Sequence, residues 1–414
     1  MALVVLIATS TEATLIGSVG RRKPASFQDI VFVDSKAKGN GDGSSWKNAF
    51  TDLGVALEKR RGWELWVAAG TYKPGSNSDS VGSTFNLGIG VILHGGFAGN
   101  ETYLFQAKPN VNLTILSGDI GKSGNDSDNV NSVVWAEGDN LIDGFFITGG
   151  YQRGDAAGGL SAPGDIEVSR CVFKGNKSRY GSGALMVSDA IADIHDCLFQ
   201  GNTGSNGGGI NAVRGAISIS NSLFYQNESD RWAGGVLFQA VEEARISNST
   251  FYMNSAPTGS ALSMVAAEQN VISNTIISNS IFWKNGWNGS RDSNESEIWV
   301  PQITKNNSVI LKMNNCIVKG GTATKSRGVR IQDTLLVQET FVKTKDKDPK
   351  LLIEKEKFGL EGKDKILFTS DDGLNIASNS PGIDAGVAIE GMEKDITGKP
   401  RSAGKATDIG AYDH

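Results

Sequence analysis

A four-residue motif, Phe-x-x-Asn, recurs through the middle of the sequence and constrains the fold more than any other feature. Its copies are Phe173–Asn176, Phe199–Asn202, Phe224–Asn227, Phe251–Asn254 and Phe282–Asn285. Successive Asn residues are separated by 26, 25, 27 and 31 positions. A repeat of this length indicates an array of stacked units, each burying its apolar face only against its neighbours. Phe146 precedes Phe173 by 27 positions, and we assign it to the same series.

Other positions of the repeat also hold one kind of side chain. A small residue stands two positions before each Phe, an Ile stands three positions before that, and in the later copies an Asn directly precedes the small residue. The members of these three series are Cys171, Cys197, Ser222, Ser249 and Ser280; Ile194, Ile219, Ile246 and Ile277; and Asn221, Asn248, Asn279 and Asn315.

The alternation of apolar and polar residues inside each repeat predicts short strands. The segment 216–220 alternates with period two, as expected of a strand with one buried face. About three such strands fit into each repeat with no helix between them, so they cannot pair as hairpins. They can wind as a coil in which each strand pairs with its equivalent one turn later. The sequence therefore predicts an all-β chain, a parallel β-helix with about 26 residues per coil, in which Phe stacks inside and Asn stacks at a turn.

Composition and charge exclude several functional classes. The 414 residues include 52 Gly, which suits a chain with many turns. A net charge of −5, from 40 basic and 45 acidic residues, gives no electrostatic footprint for nucleic acid. No apolar run reaches the roughly 20 residues of a membrane span. Three Cys are too few for a disulfide scaffold, although Cys171 and Cys197 share a column, where they could form a disulfide or serve as small buried residues in place of Ser.

Four segments differ in pattern. We interpret them as a leader arm, an N-terminal cap, the β-helix and a loop-rich C-terminal cap or anchor-type element, at 1–29, 30–63, 64–320 and 321–414. The apolar run at 2–8 favours a secretory signal, with an irregular arm as the alternative. Ala49–Lys59 has the apolar spacing of a helix, with Asn48 as its N-cap. An end coil needs a cover, and this helix is the candidate.

The motifs resemble a known group. The Phe-x-x-Asn and Gly-Gly-aliphatic repeats, such as Gly208–Ile210, are similar to those of bacterial polymorphic outer-membrane proteins and related secreted right-handed β-helix proteins. Gly41–Trp46 and Trp66–Tyr72 match the opening of that group. Three C-terminal pieces resemble the choice-of-anchor ending of secreted bacterial β-helix proteins: Ser380–Gly386, Asp395–Arg401 and Asp408–Asp413. The resemblance implies a right-handed helix and export to the cell surface or the medium, and it leaves the activity open.

Arginine and aromatic residues follow the ladder Asn in several coils, and they form the first candidate site. Equivalent loops of successive coils project from one edge, where guanidinium groups beside aromatic faces could hold an anionic sugar chain. The alternative is a set of solvated loops whose aromatics cover the neighbouring coil. The candidate ligand-binding residues are Arg179, Tyr180, Arg231, Trp232, Trp287 and Arg291.

A second candidate lies on the strand before Cys197. An inward Ile194 places Asp193 and His195 outward, with Glu167 one coil earlier and Arg245 two coils later in the column of Asp193. A carboxylate beside a histidine could work as acid and base. The alternative is an ordinary charged strand surface.

Metal sites are weakly indicated. Thr369–Gly373 and Asn40–Ser44 carry oxygen ligands in Gly-rich turns that could bind Ca²⁺, although neither has EF-hand spacing and Asx-turns explain both. We predict no resident cofactor and leave calcium open.

Taken together, these patterns favour an exported protein, secreted or at the cell surface, that acts by binding as an adhesin or extracellular structural protein. Its expected partner is an extracellular polysaccharide or surface glycan. One alternative is a polysaccharide lyase or glycoside hydrolase, and another is a self-assembling sheath or surface-layer subunit. No Gly-x-Ser-x-Gly, phosphate-binding loop or His-Glu-x-x-His is found, which favours a non-enzymatic function.

Overall fold

A computed structural model shows how the repeats are arranged in space. The structure describes residues 30–59, 64–75, 80–265, 272–286, 296–300, 308–322, 328–331, 337–356, 359–401 and 404–414. The predicted leader arm, 1–29, lies outside the described residues. Within them the chain is almost entirely β-structure, and every pairing between its strands is parallel.

The regular elements run in chain order with few helices. They are β1 (Ile30–Val33), α1 (Leu53–Lys59), β2 (Glu64–Ala68), β3 (Gly70–Tyr72), β4 (Phe85–Leu87), β5 (Ile92–Phe97), β6 (Thr114–Ser117), β7 (Val134–Ala136), β8 (Asn140–Asp143), β9 (Phe146–Thr148), β10 (Tyr151–Gln152), β11 (Leu160–Ala162), β12 (Ile166–Ser169), β13 (Val172–Lys174), β14 (Lys177–Ser178), β15 (Leu185–His195), β16 (Leu198–Gln200), β17 (Thr203–Asn206), β18 (Ile210–Ser220), β19 (Leu223–Tyr225), β20 (Glu228–Trp232), β21 (Val236–Gln239), β22 (Glu243–Ser247), β23 (Thr250–Tyr252), β24 (Leu262–Val265), β25 (Ile272–Ser278), β26 (Ile281–Trp283), β27 (Ile298–Val300), β28 (Ser308–Asn314), β29 (Ile317–Val318), β30 (Val329–Ile331), β31 (Val337–Val342) and α2 (Leu352–Glu356). Short 3₁₀ turns lie at Leu104–Gln106 and Asp126–Asp128.

Three parallel sheets form the walls of the coil. In the described part of the chain they contain 18, 9 and 4 strands. In most coils the largest sheet contributes two short strands, but in two coils these merge into the long strands β15 and β18. The strand β15 therefore pairs with both β11 and β12 of the preceding coil. The 9-stranded sheet stacks one strand per coil from β3 to β29. The predicted parallel β-helix, with its repeat of about 26 residues, is confirmed.

The Phe series forms a stacked column inside the coil. The rings of Phe173, Phe199, Phe224, Phe251 and Phe282 are 4.4–4.9 Å apart, centroid to centroid, and all are fully buried. The assignment of Phe146 to this column is wrong. Ile147 pairs with Phe173, whereas Phe146 pairs with Val172 and lies on the outward face. A slip of one residue moves a strand side chain to the opposite face, because the side-chain period is two.

The Asn series forms a buried hydrogen-bonded ladder at one turn. Asn202 Nδ2 donates to Asn227 Oδ1 at 2.9 Å, and Asn227 Nδ2 donates to Asn254 Oδ1 at 2.9 Å. Each of these side chains also donates to a carbonyl of the preceding coil, so the amides bridge three coils. Glu297 accepts from Asn285 at the last step of the ladder. The predicted amide stacking is confirmed.

The N-terminal helix is shorter than predicted. It begins at Leu53, and the side chain of Asp52 accepts from the amide of Val55 at 2.9 Å, so Asp52 is its capping residue and Asn48 is not. Leu53, Ala56 and Leu57 are buried in the main core, which confirms the predicted apolar face.

The C-terminal segment, 343–414, packs on the flank of the coil. Outward residues of the 9-stranded sheet, including Leu198 and Leu223, form a second apolar core with Ile396, Ile409 and Tyr412. Segment 385–401 then extends to the turn column of the second Asn series. There the side-chain amides of Asn221, Asn279 and Asn315 donate to the carbonyls of Lys394, Val387 and Ala385, respectively.

The three cysteines are free thiols in the core. Cys171 and Cys197 form no disulfide, and each lies within hydrogen-bonding distance of backbone carbonyls. Of the two alternatives, the small buried residue is the one the structure supports. Burial raises the pKa of Cys171 to about 12 and that of Cys197 well above its usual value.

Candidate functional site

A strip of polar side chains runs along the outward face of the largest sheet, one coil after another. The strand register places Asp143 beside Ser169, Ser169 beside His195, and His195 beside Ser220. Two positions earlier on the same strands, Glu167 pairs with Asp193. Each strand alternates between the core and the outer face, so these side chains share one surface.

His195 lies at the centre of this strip and contacts two carboxylates. Its Nδ1 is 2.9 Å from Oδ2 of Asp196, and its Nε2 is 3.5 Å from Oε1 of Glu167. The side chains of His195, Glu167 and Asp196 are 30%, 31% and 27% exposed, so they are accessible yet partly shielded. Asp193 is partly buried beside them. The second site predicted from the sequence is therefore brought together in space.

The site holds an imidazole and a carboxyl group whose pKa values are both raised. Burial alone would lower the pKa of His195, but its bonds with Asp196 and Glu167 raise that pKa to about 10. Burial raises the pKa of Asp193, and the negative charge of Glu167 raises it further. At neutral pH an imidazolium ion thus lies beside the carboxyl groups of Asp196 and Glu167.

Arg245 does not join the group. It lies in the predicted column, two coils from Asp193. Its guanidinium, however, binds Glu243 on its own strand, with Nη2 to Oε1 at 2.8 Å. Because Arg245 is paired with Glu243, the polar neighbour of Asp193 on that side is Ser218.

Sequence reasoning missed a second ionic cluster at the N-terminal end of the strip. Asp143 binds His94 Nδ1 at 2.9 Å and Arg170 Nε at 2.7 Å, and Ser169 Oγ also donates to it. Burial alone would raise the pKa of Asp143, but the bonds with His94 and Arg170 hold it well below its usual range. His94 and Asp143 are buried, whereas the Arg170 side chain is 40% exposed. Aligning Ile147 rather than Phe146 with Phe173 places Asp143 in the column of His195. With that alignment, the acidic residue at this end of the strip could have been found from the sequence.

The strip borders a cleft of about 360 Å³. Its lining includes Asp193, His195 and Asp196 on one side and segment 391–394 on the other. Asn221 fixes that segment, because its Nδ2 donates to the carbonyl of Lys394 at 2.9 Å. Its Oδ1 accepts from the buried guanidinium of Arg401 at 2.7 Å. The cleft is therefore built jointly by the β-helix and the C-terminal segment.

The first predicted site lies on a different edge. Arg179 and Tyr180 follow β14, and Arg231 and Trp232 end β20, so all four lie at or beside the 4-stranded sheet. Each arginine lies over the ring of its own neighbour, at 5.1 Å for Arg179 and 5.5 Å for Arg231. Trp287 and Arg291, also predicted for this site, lie outside the described residues.

The two calcium candidates have carboxylates that accept from their own turns. Asp371 accepts from the backbone amide of Lys363, Asp372 from that of Phe368, and Asp42 from that of Ser44. These bonds are those of Asx-turns and related loops. Among the residues that the structure describes, no group of three or more His, Cys, Asp or Glu side chains could hold a metal ion. The same part of the chain contains no helix with the length and hydropathy needed to cross a membrane.

Comparison with known proteins finds similarity in architecture alone. No protein-family model and no curated protein matches the chain, so membership of the polymorphic outer-membrane or choice-of-anchor groups is not shown. The solved structures that are similar include pectate lyase Pel9A, with 12% identity over 93% of this chain and 96% of that one and a TM-score of 0.48. Another is the catalytic unit of a thermostable GH87 α-1,3-glucanase from Streptomyces thermodiastaticus strain HF3-3, with 12% identity over 78% of this chain and 69% of that one and a TM-score of 0.28.

Proposed function

We propose that the protein hydrolyses glycosidic bonds of a neutral polysaccharide at the cleft between the polar strip and segment 391–394. The observation that carries the proposal is the pairing of Glu167 with Asp193 on neighbouring strands beside His195. Glycoside hydrolysis in most families needs two carboxyl groups, one of which is an acid that keeps its proton near neutral pH. Burial raises the pKa of Asp193, which is the direction that this role requires.

The two carboxyl groups then take different roles. Asp193 donates a proton to the oxygen of the leaving group as the glycosidic bond breaks, and Glu167, ion-paired with His195, accepts a proton from the water that forms the new bond to the reacting carbon. Paired residues of neighbouring strands lie about 4.8 Å apart. Proton NMR of the first product would show whether the anomeric configuration of the substrate is kept or inverted.

The charges around the cleft favour a neutral substrate over a polyuronate. The carboxyl groups of Asp193, Asp196 and Glu393 line the cleft with His195 and Lys394, and Glu167 lies beside His195, so carboxyl groups outnumber these cations. Lyase chemistry requires a basic group beside a neutralised uronate, and these carboxylates would repel that substrate. The binding-protein and sheath interpretations draw no support from this geometry. Secretion, which the apolar run at 2–8 predicts, is part of the proposal.

The test is incubation of the purified protein with α-glucan, β-glucan, xylan, mannan and polyuronates. New reducing ends on a neutral polymer, with no ultraviolet absorbance from unsaturated sugars, are the expected result. The rate should fall towards alkaline pH, because Asp193 loses its proton there and can no longer act as an acid. Growth of absorbance on a polyuronate would overturn the proposal in favour of a lyase. The absence of both signals with every polymer would overturn the proposal that the protein is an enzyme of this kind.

A second proposal concerns the edge formed by Arg179, Tyr180, Arg231 and Trp232. Trp232 stacks on Trp299 with ring centroids 5.1 Å apart, which gives a flat aromatic surface under an exposed guanidinium. Such a surface suits an anionic glycan. If the double variant Arg179→Ala, Arg231→Ala binds an immobilised polyuronate as well as the unaltered protein does, this edge is scaffold only.

A further inference from the structure

The turns beside the polar strip form a column in which only the middle members are open. Gly144, Arg170, Asp196 and Asn221 hold equivalent positions in four successive coils, each with a positive φ of 45–79°. Gly144 and Asn221 are buried, whereas Arg170 and Asp196 are partly exposed. Something therefore covers the column at both ends.

The cover at the N-terminal end is the loop 98–113. A Cβ atom on Gly144 would lie 2.9 Å from Cγ of Pro109, so this loop lies directly against that turn. The loop is firmly held, because the carboxylate of Glu101 accepts from the amides of Ala98, Gly99 and Asn100 at 2.6–3.0 Å. In addition, Trp46 Nε1 donates to the carbonyl of Glu101 at 2.9 Å.

The cover at the C-terminal end is segment 391–394. Lys394 is bonded to Asn221, and Sδ of Met392 lies 3.0 Å from Oγ of Ser247 in the next coil. The segment thus crosses the polar strip immediately after Ser220. Three coil steps separate Gly144 from Asn221, which is about 14 Å at the spacing of neighbouring strands.

The third side is closed by the C-terminal core. Val172 and Leu198 point outward from the 9-stranded sheet below the open turns, yet they are only 7% and 0% exposed. They belong to the apolar core that contains Ile396 and Tyr412. Among the described residues, the side that remains is the outer face of β12, β15 and β18, where Ile191 is 40% exposed.

We infer that the cleft takes the end of a polysaccharide chain and that the protein removes short units from that end. The inference rests on the proposed hydrolase function. A long polymer could pass through a groove open at both ends, but here the loop 98–113, segment 391–394 and the C-terminal core close three sides. The bond between the first few sugars and the rest of the chain then lies over Glu167 and Asp193.

The test is the size of the products formed from whichever neutral polymer proves active. Release of mono- to trisaccharides from the start, with little early loss of solution viscosity, is the expected outcome. Rapid loss of viscosity with long fragments would overturn the inference while leaving hydrolysis standing. No reducing ends at all would instead overturn the proposed function, so the two failures are distinguishable.

A variant of the C-terminal wall makes the test sharper. Met392→Ala removes the side chain that contacts Ser247, so a longer stretch of polymer should enter. The expected change is a severalfold rise in the share of products longer than trisaccharides. The matched control is Met253→Ala, which truncates an exposed methionine in a turn after β23. An unchanged product pattern for Met392→Ala would contradict the role of this wall.

Discussion

Asn221 joins the β-helix to the wall of the cleft, and its removal should have a large and predictable cost. Its amide donates to the carbonyl of Lys394 and to Oδ1 of Asp196, and its oxygen accepts from the guanidinium of Arg401. The residue is 6% exposed, so water cannot replace these bonds without local opening. Asn221→Gly keeps the left-handed turn conformation while removing all three bonds.

The expected loss follows from the number and kind of these bonds. The bond to the carbonyl of Lys394 is worth about 1 kcal/mol, and the bonds to the charged groups of Asp196 and Arg401 are worth roughly 2 kcal/mol each. Only the bonds to Lys394 and Arg401 hold the C-terminal segment, so Asn221→Gly should lower the free energy of its docking by about 3 kcal/mol. Asn221→Ala should cost about 1 kcal/mol more, because Ala is disfavoured at a positive φ.

The same column supplies a matched control. Asn248 has the same φ of 45° and is also buried, but among the described residues its Oδ1 has no hydrogen-bond partner and its Nδ2 reaches only the sulfur of Met392 at 3.6 Å. Asn248→Gly should cost less than about 1 kcal/mol. Hydrogen exchange of segment 391–401 measures the difference. Equal increases in exchange for the two Gly variants, or none for Asn221→Gly, would refute the reasoning.

Three further predictions concern the core. Asn227→Ala removes four buried hydrogen bonds, to Asn202, Asn254 and the carbonyl of Phe199. It should lower the free energy of unfolding by about 4 kcal/mol in denaturant titrations. Glu228→Ala, at the exposed neighbouring position, is the control and should be nearly neutral. Burial raises the pKa of Glu297 to about 8, so the folded state binds the proton more tightly than the unfolded state does. The free energy of unfolding should therefore fall as pH rises from about 4.5 to 8. Glu297→Gln should flatten that decline, and an unchanged pH profile of the variant would contradict this prediction. The buried thiols of Cys171, Cys197 and Cys316 should resist a thiol reagent at pH 8 in the folded protein and all react after unfolding; fast labelling of the native chain would contradict their placement.

The repeating part of the fold could be predicted because the same residue types recur at the same positions of successive coils. Phe199 and Asn202 occur in columns whose neighbours are one strand spacing away, so a pattern in sequence becomes a stack in space. The outward positions of Asp193, His195 and Glu167 followed from the inward Ile194 by alternation alone. Upstream, the misplacement of Phe146 shifted the register by one residue and concealed Asp143.

The walls of the cleft could not be predicted in the same way. Asn221 contacts Lys394, 173 residues away in the chain, and neither residue type indicates the other. The C-terminal segment has no repeat that would place it on the flank of the coil. The Asn221, Asn248, Asn279 and Asn315 column was recognised in the sequence, but its role in anchoring that segment becomes visible only in three dimensions.

The most direct test of the central claim is the activity of carboxyl variants on the polymer that the unaltered protein cleaves. Asp193→Asn and Glu167→Gln keep the shape of each side chain and should each lower kcat at least about 100-fold, the usual share of a general acid or base. Glu228→Gln, on an exposed strand of another sheet, is the control and should leave kcat unchanged. Full activity in both cleft variants would contradict the assignment of catalysis to this pair.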